Sequence, residues 1–286
     1  MVVQHNLQAA NTNRQLGITT SAQAKSTEKL SSGYKINRAA DDAAGLSISE
    51  KMRSQIRGLN KASSNAQDGV SLVQTAEGAL NETHSILQRM NELATQAANG
   101  TNTSVDRSAI RAELDQLTSE INRIQSTTQF NTMNLLDGTF SGATNQMKLQ
   151  VGALSGQSID FSIANMCATK IGLKKTLSVS TFTKAGSYMK SVQDAIEVVS
   201  KQRSAMGAIQ NRLEHTIANL DTTSENTQSA ESRIRDTDMA SEMVTYSKNN
   251  ILAQAGQSML AQANQSTQGV LSCLLYTSPS PRDRTR

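Results

Sequence analysis

Histidine side chains are the first candidates for acid–base or metal chemistry, and the three in this sequence are widely separated, at positions 5, 84 and 215. General acid–base catalysis and zinc binding both need such groups close together, and the short His-Glu-x-x-His motif is absent from the sequence. His215 follows Glu214 in a predicted helix, where a polar contact between helices is the expected role. The histidines therefore predict neither a metal site nor a general base.

Two further motifs have the right residue types for catalysis but the wrong context. Asp41 and Asp42 are adjacent, so their carboxylates point in different directions, and we expect a connector or a helix cap. Ser26 and Lys29 have Ser-x-x-Lys spacing, but the companion motifs of acylating enzymes are missing. With no glycine-rich phosphate loop either, the sequence predicts no catalytic residue, no cofactor and no metal ligand.

Composition argues against nucleic acid and membrane partners. The net charge is only +4, the basic residues are interspersed with acidic ones, and aromatic residues make up 3% of the chain. Binding of nucleic acid usually relies on a clustered basic surface and on aromatic stacking. No stretch reaches the 18 apolar residues of a membrane span. The two cysteines, Cys167 and Cys273, are far apart and are expected to be unpaired and passive.

The rest of the sequence predicts mainly helices. Both prolines, at 279 and 281, follow 278 residues in which no proline interrupts a helix. Apolar residues recur at alternating spacings of three and four from Leu59 to Ala97, which predicts a helix about 58 Å long. A shorter seam runs from Ile110 to Ile124.

A second long seam has heptad spacing and lies in a helix predicted to begin near residue 187. Its members are Val192, Ile196, Val199, Arg203, Met206, Gln210, Leu213, Ile217 and Leu220. Such a stripe faces a partner helix, yet Arg203 and Gln210 would be costly in a sealed core without polar partners. We expect this stripe to pack partly on its own chain and partly on neighbouring subunits, which would supply those partners.

The segments outside these seams have a weaker periodicity of apolar residues. Alternating apolar residues between 130 and 163 predict two or three short strands in hairpins, whereas 164–186 is poorly patterned. The first 30 residues and the segment from Met239 are rich in Gln and Asn and have low-contrast apolar faces. Isolated helices of this kind gain most of their stability from packing, so both ends are predicted to need a partner.

Two long stretches resemble the terminal regions of bacterial flagellin. They are LSSGYKINRAADDAAGLSISEKMRSQIRGLNKASSNAQDGVSLVQTAEGAL, at 30–80, and a C-terminal stretch at 202–265 that includes QRSAMGAIQNRLEHTIANL and ILAQAGQSMLAQANQ. The resemblance covers roughly residues 1–163 and 187–275. It implies a mainly α protein, a long antiparallel helical rod or coiled-coil bundle with a small β-hairpin region, that lacks outer variable domains.

The resemblance also implies a division into domains. Residues 1–44 would be the N-terminal D0 helix and connector, and 45–163 the N-terminal part of D1, with two long helices and β-hairpins. Residues 164–186 would be a short variable linker. The C-terminal D1 helix would occupy 187–238, and the C-terminal D0 helix 239–275.

The function implied is that of a structural subunit, a secreted, extracellular protein that polymerises into the flagellar filament for swimming. Implied partners are other copies in a helical homopolymer, an export chaperone, the type III export apparatus, and the filament cap and hook-associated proteins. Export through that apparatus agrees with an N-terminus, MVVQHNLQAANTNRQLG, that lacks the pattern of a Sec signal peptide. The stretch QRMNELATQAANGTN matches the motif recognised by host Toll-like receptor 5, with Arg89, Leu93 and Glu113 as the implied contacts.

One region departs from the family, and two other functions are retained as alternatives. Residues 276–286 add two prolines and three arginines where flagellins end, so we expect this tail to be artefactual. A hook–filament junction protein shares the terminal helices but matches the C-terminal strings less well. A monomeric receptor ligand or adhesin would differ by failing to elongate filament seeds.

Overall fold

The computed structural model describes residues 6–142, 145–173 and 179–275, so the predicted tail at 276–286 and His5 lie outside the described residues. Within those ranges, helices and strands follow in the order α1 (Leu7–Ser32), α2 (Ala43–Ala97), α3 (Ser104–Thr127), β1 (Gln129–Phe130), β2 (Met133–Asn134), β3 (Met147–Gln150), β4 (Ser158–Phe161), α4 (Phe182–Arg235) and α5 (Met239–Leu275). The mainly α fold class with small β-hairpins is confirmed.

The chain forms two compact units. The first contains the described residues as far as Arg53 together with those from Gln228 onward, and the second extends from Ser54 to Thr227. The long helices α2 and α4 each contribute to both units.

The core of the second unit lies where α2, α3 and α4 meet. Its fully covered side chains include Val73, Leu80, Leu87, Met90, Ile121, Val192, Val199 and Met206. Within this unit α2 and α4 are antiparallel, since Ser63 bonds Asp221 and Glu77 contacts Arg203. The apolar residues at heptad spacing in α2 face this core, which explains why a 55-residue helix with little aromatic bulk is stable here.

The strands form two antiparallel hairpins, as the alternating pattern predicted. In the longer one, Met147 pairs with Phe161 and Leu149 with Ile159. The shorter hairpin, β1–β2, turns at Asn131 and Thr132, both of which have positive φ. A two-residue turn with positive φ at both positions matches the right-handed twist of paired strands.

The poorly patterned segment predicted as a linker contributes to the core of the second unit. Met166, Ala168, Ile171 and Leu173 are each no more than 2% exposed. The Met166 N–H donates to the Leu136 carbonyl at 3.1 Å, so turns rather than a helix or strand bring these side chains inward. Periodicity does not reveal such packing, because the segment has no regular repeat. The helix that follows begins at Phe182, five residues before its predicted start.

Two glycines of α2 provide a stability test with opposite expected signs. A Cβ at Gly58 would lie 2.8 Å from the Ala153 Cβ and 3.2 Å from its Cα, whereas a Cβ at Gly78 would meet nothing within 4 Å. Gly58→Ala should lower the free energy of unfolding, because overpacking costs about 1–3 kcal/mol and improved helix propensity returns only about 1 kcal/mol. Gly78→Ala should raise it by about 1 kcal/mol.

Urea denaturation followed by circular dichroism measures both changes. The two variants make the same substitution in the same helix, so helix propensity cancels in their difference. Equal stabilisation by the two substitutions would show that the approach of Ala153 to the helix does not constrain Gly58.

Candidate assembly surface

The residues considered for chemistry do not converge. Among the described residues, no group of three or more His, Cys, Asp or Glu side chains is placed to hold a metal ion. His84 Nε2 lies 3.0 Å from Gln88 Nε2 on the same helix, and Cys167 Sγ lies 3.1 Å from Thr169 Oγ1. None of the helices in the described part of the chain is long and apolar enough to cross a membrane.

The aspartate pair shapes the connector between α1 and α2. Asp41 Oδ2 accepts hydrogen bonds from the backbone N–H groups of Arg38 and Asn37, at 3.0 and 3.2 Å. These two bonds stabilise the ionised carboxylate and lower the pKa of Asp41. Asp42 Oδ1 accepts from the Gly45 N–H at 2.9 Å and so caps α2. The connector or cap role expected for this pair is confirmed.

The heptad seam of α4 divides into two columns. Every seventh residue from Val192 is buried by other parts of the same chain: Val192, Val199, Met206, Leu213 and Leu220. The alternate column is only half-buried: Ile196, Arg203, Gln210 and Ile217. The seam is thus chiefly an intrachain core, and its two polar members both belong to the column at the edge.

Both polar members of the seam have partners in their own chain. Arg203 Nη2 lies 3.6 Å from Glu77 Oε1 on α2, and Gln210 Nε2 donates to Glu214 Oε1 at 2.9 Å. These two atoms therefore have partners within the chain, and packing of the seam on neighbouring subunits stays a prediction. Arg203 Nε is buried without a hydrogen-bond partner among the described residues. Half-burial explains the tolerance for Arg and Gln, because their charged and polar ends reach the edge of the helix pair.

The three residues implied as receptor contacts differ in accessibility. Arg89 Nη2 lies 3.1 Å from Glu113 Oε1, so the two residues join α2 to α3 at the surface. The hydrogen bond with Glu113, followed by the one with Glu92, raises the pKa of Arg89. Leu93 is only 2% exposed and packs in the core. Of the three implied contacts, Arg89 and Glu113 are therefore accessible and Leu93 is not.

The helices α1 and α5 pair with each other in the first unit. The side-chain amide of Asn6 donates to the Ala263 carbonyl at 3.1 Å, and at the other end Lys29 Nζ lies 3.9 Å from Glu242 Oε2. These contacts make the pair antiparallel. A Cβ at Gly256 would lie 3.2 Å from Leu16 Cδ1, so a small residue permits close approach.

The described side chains of this pair bury very little apolar surface. Among the described side chains of the two helices, the buried ones are Ser26, Ala253 and Ala263. Large apolar side chains on both helices are exposed instead: Leu7, Ile18, Met239, Met243, Val244, Ile251, Leu252 and Met259. We call these eight side chains the terminal apolar surface. So many exposed apolar side chains on one helix pair indicate an interaction surface.

An open groove of about 410 Å³ follows the junction of the two helices. Its lining includes Leu16 and Thr19 of α1 and Leu252 and Met259 of α5. The sequence predicted that the N- and C-terminal helices need a partner but did not show which of their side chains would be exposed in the single chain. The spread of exposed residues around α5 explains this, because they do not form one clean helical stripe.

Family models match most of the chain. The model for the bacterial flagellin N-terminal helical region matches residues 3–141, and the model for the bacterial flagellin C-terminal helical region matches residues 189–274. Flagellin of Halalkalibacterium halodurans is 54% identical over 275 residues, which covers 96% of this chain and 100% of that protein. Flagellin of Bacillus subtilis is 50% identical, with the same coverage of both chains.

Solved structures show related architecture. A putative flagellar hook-associated protein from Vibrio parahaemolyticus aligns with a TM-score of 0.57 and 14% identity, covering 68% of this chain and 100% of that one. Such identity concerns the fold alone. The crystal structure of Bacillus cereus flagellin aligns with a TM-score of 0.49 and 30% identity, over 55% of this chain and 88% of that one.

Proposed function

This chain belongs to the bacterial flagellin family and is a structural subunit of the flagellar filament, and we propose that its terminal apolar surface is covered by other copies during assembly. The observation that carries the proposal is the exposure of residues such as Ile251, at 66%, and Val244, at 71%, on helices whose described side chains bury almost nothing between them. Burying side chains of this size stabilises an interface by about 1.5–3 kcal/mol each.

The same observation implies coupled folding and assembly. Among the described side chains of this helix pair the buried ones are Ser26, Ala253 and Ala263, and their burial does not offset the entropy lost in ordering more than 50 residues. Segments of this kind become ordered when a partner supplies the missing apolar contacts. We therefore expect α1 and α5 to be largely unfolded in a free subunit and helical in a filament.

The domain division follows from this proposal. Residues 1–44 and 239–275 would form D0, and 45–163 and 187–238 would form D1. In D1, the buried column of the α4 seam packs in the core of its own chain. Contacts with a neighbouring subunit are therefore expected from the half-buried column: Ile196, Arg203, Gln210 and Ile217. Arg203 Nε, which has no hydrogen-bond partner in the described part of the chain, supports this assignment, because a buried donor without a partner is costly.

Seeded elongation tests the proposal. Purified subunits would be mixed with short filament fragments, and growth would be followed by light scattering and electron microscopy. We expect elongation from the fragments at a rate proportional to subunit concentration. Subunits that stay monomeric at high concentration with seeds present would contradict it.

Secretion and the accessory partners are proposed from family membership. The chain would leave the cell through the flagellar type III export apparatus, with an export chaperone on its C-terminal helix, and would assemble beneath the filament cap above the hook-associated proteins. The terminal apolar surface supports a chaperone, because exposed apolar helices aggregate when unprotected. Accumulation of the chain outside cells that lack the type III export channel would contradict this route.

Recognition by Toll-like receptor 5 is proposed through the surface pair Arg89 and Glu113. We expect Arg89→Ala to weaken receptor binding at least about tenfold, the usual effect of truncating an arginine at the centre of an interface. Arg111→Ala is the matched control, because Arg111 is an exposed arginine on α3 paired with Asp115. Surface plasmon resonance with the receptor ectodomain measures both. Equal affinities for the two variants would exclude Arg89 as a contact.

A further inference from the structure

We propose that Arg235 locks the two interhelix connectors into a clasp, and that this clasp sets the register in which α1 and α5 pair. The clasp consists of residues 33–36 and 235–237, with the side chains of Ser49 and Glu50. All of these residues lie in the first compact unit.

The backbone of the clasp is a short antiparallel ladder. The Lys35 N–H donates to the Arg235 carbonyl at 2.7 Å, and the Thr237 N–H donates to the Gly33 carbonyl at 3.0 Å. Between them, Tyr34 and Asp236 form a β-bridge. Gly33 has a φ of 75°, which ends α1 and directs the chain into the ladder.

The Arg235 side chain connects the ladder to the first turns of α2. It is 13% exposed, its Cζ lies 4.8 Å from the centre of the Tyr34 ring, and its Nη1 lies 2.7 Å from Glu50 Oε1. The same Nη1 lies 3.5 Å from Oγ of Ser49, which is fully buried and donates to Glu231. A planar guanidinium satisfies stacking and ion pairing together, which a lysine ammonium does not.

The clasp and the helix pair share one register. From the clasp, Gly33 pairs with Thr237, then Lys29 with Glu242, and finally Asn6 with Ala263 at the far end of α1. From the clasp to the far end, the residue number falls from 33 to 6 along α1 and rises from 237 to 263 along α5, so all three contacts belong to nearly the same register. The clasp is therefore the closed end of an antiparallel arrangement that continues through both helices.

The helices alone specify this register weakly. The buried side chains in the described part of the pair are small, Ser26, Ala253 and Ala263, so a shift by one turn removes little of that packing. Flat interfaces with few distinctive contacts slip for this reason. A shifted pair would displace Ile251 relative to Ile18 and disrupt the terminal apolar surface. This inference rests on the proposed assembly through that surface.

Arg235→Gln tests the inference, with Arg233→Gln as the matched control. Arg233 is exposed and lies two residues earlier in the last turn of the same helix, so the change in charge is equal. We expect Arg235→Gln to slow seeded elongation at least about tenfold, because the charged hydrogen bonds and the stacking are lost. Arg233→Gln should change the rate less than about twofold.

Cysteine cross-linking in filaments, where α1 and α5 are expected to be helical, reads the register directly. In a Cys167→Ser and Cys273→Ser background, Lys29→Cys is combined with Glu242→Cys, in register, or with Met239→Cys or Tyr246→Cys, about one turn to either side. With Arg235 present, the 29–242 pair should oxidise fastest. With Arg235→Gln, the one-turn-shifted pairs should gain at least about fivefold relative to it, since the clasp that opposes slippage is gone.

The two measurements separate the possible failures. Wild-type subunits that do not elongate seeds contradict the proposed function and, with it, the inference. If the wild type elongates, the outcomes for Arg235→Gln decide the inference alone. Unchanged elongation by Arg235→Gln overturns the inference. Slow elongation with an unchanged preference for the 29–242 pair also overturns it, because Arg235 would then only stabilise the connectors. Slow elongation together with shifted cross-links supports it.

Discussion

Ile251→Asp is expected to slow seeded elongation by at least roughly thirtyfold, because burial of an isoleucine contributes about 2 kcal/mol and the factor follows from that energy. Ile251 is 66% exposed in the single chain and belongs to the terminal apolar surface. An aspartate there would also have to be desolvated when a neighbouring copy covers it, which increases the loss. Light scattering after addition of filament fragments measures the rate.

Gln254→Glu is the control for charge, since Gln254 is exposed on the same helix, three residues later. It introduces the same charge without removing an apolar side chain, so we expect a much smaller change in rate. Comparable slowing by both variants would assign the effect to electrostatic repulsion and remove the evidence for apolar coverage. Circular dichroism of the free variants should match that of the wild type, because the side chain at 251 makes little contact in the single chain.

Leu87→Ala should lower the free energy of unfolding of the second compact unit by about 2–5 kcal/mol. Leu87 is fully buried on α2 and lies in the main core with residues such as Met90 and Met206. The loss combines the transfer energy of the removed carbons with the cavity left in a packed interior. Urea denaturation of the free subunit measures it, because the unit has its own core and does not depend on assembly.

Leu154→Ala makes the same substitution at an exposed position, where the side chain is 67% accessible in the loop between β3 and β4. We expect a change below about 0.5 kcal/mol there. A loss at Leu87 no larger than the loss at Leu154 would contradict the core described for the second unit. The comparison also checks that the destabilisation reflects burial rather than the leucine-to-alanine change itself.

The sequence predicted the features that depend on a regular repeat. The three-four spacing in α2 identified the face that contains Leu80 and Leu87, and the alternation of apolar residues identified the strands in which Leu149 pairs with Ile159. Such patterns work because a helix and a strand each return side chains to one face at a fixed interval. The role of Asp42 as a cap was also accessible, because its type and its place before an apolar helix have one common explanation.

Features that depend on tertiary contacts were missed or placed wrongly. The spacing of the α4 seam did not separate the buried column from the edge column, because both fall on the same heptad pattern. The partner of Arg203 is Glu77, more than 120 residues earlier, and no local signal connects the two. The burial of Leu93 was not predicted either, because this residue was selected by its position in a motif identified by resemblance alone. The Arg235 clasp brings together three chain segments that no repeat relates.

Amide hydrogen exchange on free subunits and on filaments tests the central claim most directly. We expect amides of α1 and α5 to exchange rapidly in the free subunit and to become strongly protected in the filament, while amides of α2 near Leu87 are protected in both. The reason is that copies of the chain supply the apolar contacts that the terminal pair lacks. Strong protection of α1 and α5 in the free subunit, equal to that near Leu87, would contradict the account.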